Sequence, residues 1–266
     1  MDSKRNFRMD TKRGIIKRTY ILLAVLILTG CYKSTEFPDL VTPESPVLIP
    51  PQKQIAGKSV EGRPIMYSVL GQGSDVTFIM ATIHGDEPAG TPLVNYLLKY
   101  LNQRPELLLG RKVVILPLAN PDGLANNTRH NANDVDLNRN FIADNRKDNK
   151  QSGPSPISEP EAHIINQLIL QHAPDRIVSI HQPYACIDYD GPGEFLAHQM
   201  ALYCDLPVKK LGARPGSLGS YAGVELGIPI ITFEMLENDS NLTTEMLWQK
   251  YGKALLAAIL YPNPVQ

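Results

Sequence analysis

Cysteine is scarce, with three in 266 residues, which excludes the disulfide-stapled scaffolds of small secreted domains and leaves the fold to a hydrophobic core. No apolar run reaches the length of about 20 residues that a membrane-crossing helix needs; Tyr20–Leu28 falls well short. An excess of positive charge is also missing. Lys and Arg total 26 against 27 Asp and Glu, and seven of the cations (Lys4, Arg5, Arg8, Lys12, Arg13, Lys17, Arg18) crowd into the first thirty residues with only Asp2 and Asp10 opposing them. Beyond residue 30 the chain is therefore net acidic, which excludes a nucleic-acid binder, since such proteins need clustered cationic surface to displace counterions. Internal repeats and low-complexity stretches are absent after the first fifty residues. What is present is 43% hydrophobic residues, too many for a disordered protein and enough for one sizeable domain.

The basic start followed by the apolar Tyr20–Leu28 has the form of a secretory signal peptide, residues 1–30. Leu28-Thr-Gly-Cys31 then resembles the lipobox of bacterial lipoproteins. That resemblance implies cleavage before Cys31, lipidation of its thiol and a membrane anchor. The absence of Asp after Cys31, where Tyr32 stands, is similar to the signal that sorts lipoproteins to the outer membrane of the bacterial cell envelope, facing the periplasm. Residues 31–54 carry Pro38, Pro43, Pro46, Pro50 and Pro51 without helical or strand period, and are expected to be a semi-extended tether. The folded domain is expected at 55–266.

Within that domain, short β-rich runs at 76–81, 112–117, 176–180 and 228–233 alternate with helical patterns at 88–101, from Ser158 onward, and at about 243–260. The middle helix is expected to open on a capping box of Ser158 and Glu161, with Pro160 in the first turn. The alternation predicts an α/β fold: a three-layer αβα architecture around a central mixed, largely parallel sheet. In such folds ligands collect at the carboxyl ends of the strands, so the groups that follow each strand carry the functional reading.

After the first predicted strand comes His84-Gly85-Asp86-Glu87, an imidazole and a carboxylate that can close on one ion if the loop turns at Gly85. After the third comes His181. Two imidazoles and one carboxylate, with a position left for water, are the donor count of a catalytic rather than a structural zinc site. Glu234 ends the last strand after a buried apolar run, where a carboxylate is costly without a role or a partner, and it is the candidate base. Asn120-Pro-Asp-Gly123 reads as a turn. Beyond it lie Arg129, a fixed cation suited to an oxyanion, and Asn138 and Arg139, an amide and a planar fork suited to a carboxylate.

In order, H-G-D-E, N-P-D-G, R-x-N-x-x-x-V-D-L-N-R-N-F, S-I-H and T-F-E resemble the zinc carboxypeptidases of the carboxypeptidase A type, over roughly residues 60–260. The resemblance implies one zinc ion per chain held by His84, Glu87 and His181, with Glu234 as general base and acid, Arg129 polarising the scissile carbonyl, and Asn138 and Arg139 holding a substrate carboxylate. H-G-D-E-P-A-G at 84–90 and G-S-L-G-S-Y at 216–221 look closer to the small bacterial branch of murein peptide amidases, which cut the γ-D-glutamyl to meso-diaminopimelate bond of peptidoglycan peptides. Asp134 stands where that branch has Gly, and Tyr221 is the aromatic residue available to close over substrate. A diaminopimelate side chain carries an ammonium and a carboxylate, and Arg214, Asp188, Asp190 and Glu194 are the groups that could receive them. Cys186 and Cys204 could bridge or stand as free thiols. Alternative readings are a general metallocarboxypeptidase, a zinc deacylase of the aspartoacylase type, against which N-P-D-G and D-L-N-R-N-F argue, and a noncatalytic wall-binding lipoprotein, for which Glu234 would be superfluous.

Overall fold

The structure, a computed structural model, describes residues 52–263. The expected signal peptide, Cys31 and most of the tether lie outside the described residues. The last three residues of the expected tether are instead the start of strand β1 (Gln52–Lys58), which pairs antiparallel with β2 (Pro64–Gly71).

Seven strands form one sheet in the order β1-β2-β4-β3-β5-β7-β6. The four predicted strands are its centre: β4 (Arg111–Leu116), β3 (Asp75–Ala81), β5 (Arg176–His181) and β7 (Ile230–Leu236). They run parallel. The antiparallel edge strands β1, β2 and β6 (Tyr184–Asp190) complete the mixed sheet.

Both faces of the central strands are buried, as their unbroken apolar runs require. Along β3, Ile79 and Ala81 pack toward one core and Val76, Phe78 and Met80 toward the other. The first core is covered by helices α1 (Gly90–Asn102), α4 (Glu194–Ala201) and α5 (Thr244–Leu260). The second is covered by α3 (Pro160–His172), through Ile164, Ile165, Leu168 and Ile169. Each of those side chains contributes roughly 1.5–3 kcal/mol by leaving water, and together they clamp α3 to the sheet.

Two local expectations are corrected. Helix α3 has Glu159 as N-cap with no side-chain cap bond. Ser158 accepts from the Asn140 side chain at 2.9 Å and donates to the neighbouring Glu159 carboxylate, and fully buried Glu161 accepts from the Val60 amide and from Asn131; long-range partners thus engage both halves of the expected capping box. The N-P-D-G segment is a helix start rather than a simple turn: Asn120 accepts from the Gly123 amide at 2.9 Å and Pro121 opens α2 (Pro121–Asn126).

The two sheet faces differ where β5, β7 and β6 meet. Side chains alternate along a strand, and on these three strands one face carries Val178, Ile180, Ile231, Phe233, Ile187 and Tyr189, all in the first core. The other face carries Ser179 and His181, Thr232 and Glu234, and Asp188 and Asp190, all of which line one cleft. The apolar layer that α3 covers farther along the sheet gives way there to a polar floor.

Candidate metal centre and cleft

His84 and Glu87 lie in the loop between β3 and α1, and His181 ends β5. Their ligand atoms all lie within 4.8 Å of one another, and all three residues are buried. The Glu87 carboxylate bridges the imidazoles, Oε1 at 2.8 Å from His84 Nδ1 and Oε2 at 2.9 Å from His181 Nδ1. The opposite ring nitrogens are also engaged. His84 Nε2 lies 3.0 Å from Asp136 Oδ1 and His181 Nε2 lies 3.0 Å from Ser179 Oγ. Such outer partners fix ring orientation and tautomer, so that both Nδ1 atoms turn toward the Glu87 carboxylate. Two oriented imidazoles and one carboxylate converging from separate segments are the donor set that suits zinc, so the residues fit the metal.

The loop turns at Gly85 as expected, the Glu87 amide donating to the His84 carbonyl at 3.2 Å, and the glycine serves it in a second way. A Cβ there would lie 1.9 Å from the Gly123 carbonyl carbon, so the H-G-D-E and N-P-D-G backbones approach each other only because the side chain is missing. Thr82, at φ 54°, accepts a left-handed backbone just before the loop, and its hydroxyl is hydrogen-bonded to Thr91 at 2.8 Å. Gln182 tethers the site from the other side: its backbone amide donates to Glu87 at 3.1 Å and its side chain reaches Ala89, Leu236 and Glu237.

The electrostatics follow from burial and neighbours. Burial alone would raise the Glu87 carboxyl, but His181 and His84 outweigh it and hold the group well below the carboxylate range. Asp136 is likewise lowered, against the opposing effect of burial, by His84 and by the charges of Arg129 and Arg139. Glu234 goes the other way: burial and the Glu87 charge raise it, against His181 and the Tyr184 amide. His181 and Glu234 are direct partners across the parallel β5–β7 ladder, so the candidate base sits beside the candidate metal.

Arg129 reaches Glu87 at 3.0 Å and Asp136 at 3.3 Å. Asn138 accepts from the Leu218 amide at 2.8 Å, which joins its segment to the 214–221 loop. Arg139 donates to the Asn138 carbonyl at 2.6 Å; burial and repulsion from Arg129 and Arg214 ease its affinity for a proton downward, while Asp136 opposes. All three residues line the cleft that holds His84, Glu87, His181 and Glu234, a space of about 670 Å³ including its open mouth.

Tyr221 is a correction. It is 5% exposed, stacks on Phe141 at 5.9 Å, and donates its hydroxyl to Asn166 at 2.6 Å. It belongs to the second core and is not among the residues lining the cleft. The tyrosine at the cleft is Tyr184, 63% exposed at the start of β6. Asp188, Asp190 and Arg214 do line the cleft, whereas Glu194 does not; Glu194 instead hydrogen-bonds to Tyr189, on the opposite face of β6. Asp188 and Asp190 lie in strand β6, which the sequence pattern does not predict. Asp134 adopts φ 59°, the region a glycine favours, and is tied down by Lys150 at 2.7 Å and His130 at 2.9 Å. Cys186 and Cys204 are free thiols. Asp136, Ser179, Gln182 and Tyr184 escaped sequence reasoning; for Asp136 the signal was its place within D-L-N-R-N-F.

The fold and this donor set define a zinc-dependent peptidase scaffold. Residues 51–195 match the family model described as zinc carboxypeptidase. The chain is 33% identical over 218 residues to murein peptide amidase A of Escherichia coli strain K12, covering 74% of this chain and 86% of that one. It is 31% identical over 208 residues to the Vibrio campbellii protein of the same name, covering 71% and 81%. The crystal structure of a murein-tripeptide amidase from Escherichia coli O157 superposes with a TM-score of 0.64 at 30% identity, covering 82% of this chain and 95% of that one. Carboxypeptidase A of Helicoverpa armigera shares the fold alone, with a TM-score of 0.66 at 22% identity over 80% of this chain and 69% of that one. This chain belongs to the zinc carboxypeptidase family, and it is a metallopeptidase.

Proposed function

We propose that the chain hydrolyses the γ-D-glutamyl to meso-diaminopimelate amide of peptidoglycan-derived peptides, using one zinc ion held by His84, Glu87 and His181. The observation that carries this reading is the convergence of those three side chains with Glu234, Arg129, Asn138 and Arg139 on one cleft, in a chain similar over most of its length to murein peptide amidases.

Bound zinc would supply Lewis acidity toward water and the scissile carbonyl. The chain's own residues do the rest. Glu234, with its carboxyl raised by burial, takes the proton from the attacking water and later returns it to the leaving amine. Arg129, anchored by Glu87 and Asp136, stabilises negative charge on the carbonyl oxygen. Asn138 and Arg139 orient a substrate carboxylate, which explains a chain segment braced on the Leu218 amide. Arg214, whose guanidinium makes no hydrogen bond among the described residues, receives the carboxylate that diaminopimelate carries at its far end.

The same reading places the enzyme in the bacterial cell envelope, anchored by lipid on Cys31 and facing the periplasm. The lipobox-like Leu28–Cys31 and the Pro-rich stretch after it support this; mass analysis of the membrane-extracted chain for a diacylglyceryl adduct on Cys31 tests it. The reaction is tested by incubating the zinc-loaded protein with purified muropeptides and identifying products by mass. Cleavage between glutamate and diaminopimelate is expected; products trimmed only of a C-terminal amino acid would replace this reading with a general carboxypeptidase.

A further inference from the structure

The two aspartates of the cleft floor are in different states of satisfaction. Asp188 accepts from the Leu211 amide at 2.7 Å and from the amides of Tyr189 and Gly212. Asp190 is 5% exposed, lines the cleft, and has no hydrogen-bond donor and no ion pair among the described residues. The cation it feels is Lys210, but that ammonium lies over the Tyr189 ring at 4.9 Å, on the opposite face of the strand. A buried carboxylate without a partner is a standing cost to the fold, and it faces the space where substrate would lie.

The surroundings are shaped around it. Gly219 heads the helical turn that closes this end of the cleft, and a Cβ on it would lie 2.1 Å from Asp190 Oδ2. The Asp190 carboxylate therefore holds its place in the cleft floor only because residue 219 has no side chain. On the rim, Arg214 is held by its own carbonyl, which accepts from the Ser217 amide at 3.0 Å and from Ser220 Oγ at 2.6 Å. The cleft is thus cationic at its mouth and anionic at its floor.

Resting on the reaction proposed above, we infer that Asp190 is the specificity residue of this cleft: it receives the ammonium group on the side chain of the residue that follows the scissile amide. Asp188 braces the 211–212 backbone beside it and does not bind substrate directly. Asp190 at the floor with Arg214 at the rim selects a side chain that ends in both an ammonium and a carboxylate.

Two probes isolate the ammonium: meso-diaminopimelate, and 2-aminopimelate, which lacks the distal amine and keeps the distal carboxylate. Calorimetric titration of the zinc-loaded full chain should show tighter binding of diaminopimelate, by about 10- to 100-fold, the range of a hydrogen bond to a charged group. Asp190→Asn should bring the two affinities together. Gly219→Ala, which keeps the charge but displaces the carboxylate from its place, should do the same, with zinc content and thermal unfolding confirming that each variant is folded. Paired γ-D-glutamyl peptides of the two residues should show the same collapse in their ratio of kcat/KM. Equal affinities in the parent protein, or a preference that survives Asp190→Asn, overturns the assignment. A preference that depends on Asp190 in a protein that cleaves no γ-glutamyl amide upholds the assignment and removes the reaction instead.

Discussion

An unpartnered buried carboxylate has a thermodynamic signature that needs neither zinc nor substrate. Burial, reinforced by the charge of Asp188 and opposed by Lys210, pushes the Asp190 carboxyl from the ordinary 3.8 up to about 6. The folded chain therefore holds this proton more tightly than the unfolded chain does. Stability is lost as pH rises between those two values, and the penalty is fully present above about 6. At about 1.4 kcal/mol for each tenfold change in proton affinity, the full penalty is about 3 kcal/mol, and relaxation of the floor reduces it to about 1–3 kcal/mol. Asp190→Asn abolishes the charge at nearly constant shape. The variant should match the parent at pH 4 and exceed it at pH 8, where a domain of this size gains about 2–4 °C in Tm per kcal/mol. Glu161 and Glu234 are also raised by burial, but they are common to both proteins and cancel in the difference; the repulsion from Asp188 is counted in the penalty and goes with the Asp190 charge. Denaturant unfolding of the two proteins at pH 4 and pH 8 is the assay. A stability difference that does not change with pH, or a variant less stable at pH 8, would refute the account of Asp190 as a charge without a partner. Stabilisation with loss of ligand preference is the trade expected where a binding group is maintained against folding.

Glu234→Gln should retain one equivalent of zinc and lose hydrolysis by about 10²–10⁴-fold, measured by metal analysis and muropeptide turnover; persistent hydrolysis removes Glu234 as the base. Asp136→Asn should weaken zinc affinity by about 10–100-fold, because the His84 ring loses the carboxylate that orients it; competition with a chromophoric chelator reads this directly. Tyr221→Phe should leave kcat/KM for the amide unchanged while lowering stability by about 1 kcal/mol through loss of the bond to Asn166, and a large rise in KM would return Tyr221 to the substrate. Because Cys186 and Cys204 are free, alkylation under denaturing conditions should add the same mass with and without reductant.

Much of the fold was legible because its central strands are self-announcing. Asp75–Ala81 and Arg111–Leu116 are buried on both faces along most of their length and keep near-continuous apolar runs, which local composition reveals. The edge strands carry mixed patterns, as in Gln52–Lys58, whose pairing depends on a partner elsewhere in the chain. Strand β6 was missed for the same reason: Asp188 and Asp190 look like loop residues until Ile187 and Tyr189 are seen to point into a core on the other face.

The candidate site divides along the same line. The donor types, their spacing and the polar residues closing each strand are properties of the linear chain, and with the motifs that carry the family resemblance they pointed to a metallopeptidase. Whether His84 turns its Nδ1 or its Nε2 inward depends on Asp136, 52 positions away. Which tyrosine meets the cleft depends on Tyr221 finding Asn166 and Phe141. Which aspartate stands without a partner depends on the amides that the 211–212 segment brings to Asp188. Those are outcomes of packing between segments far apart in the chain, and only the tertiary structure, in which each polar group either finds a donor or does not, decided them.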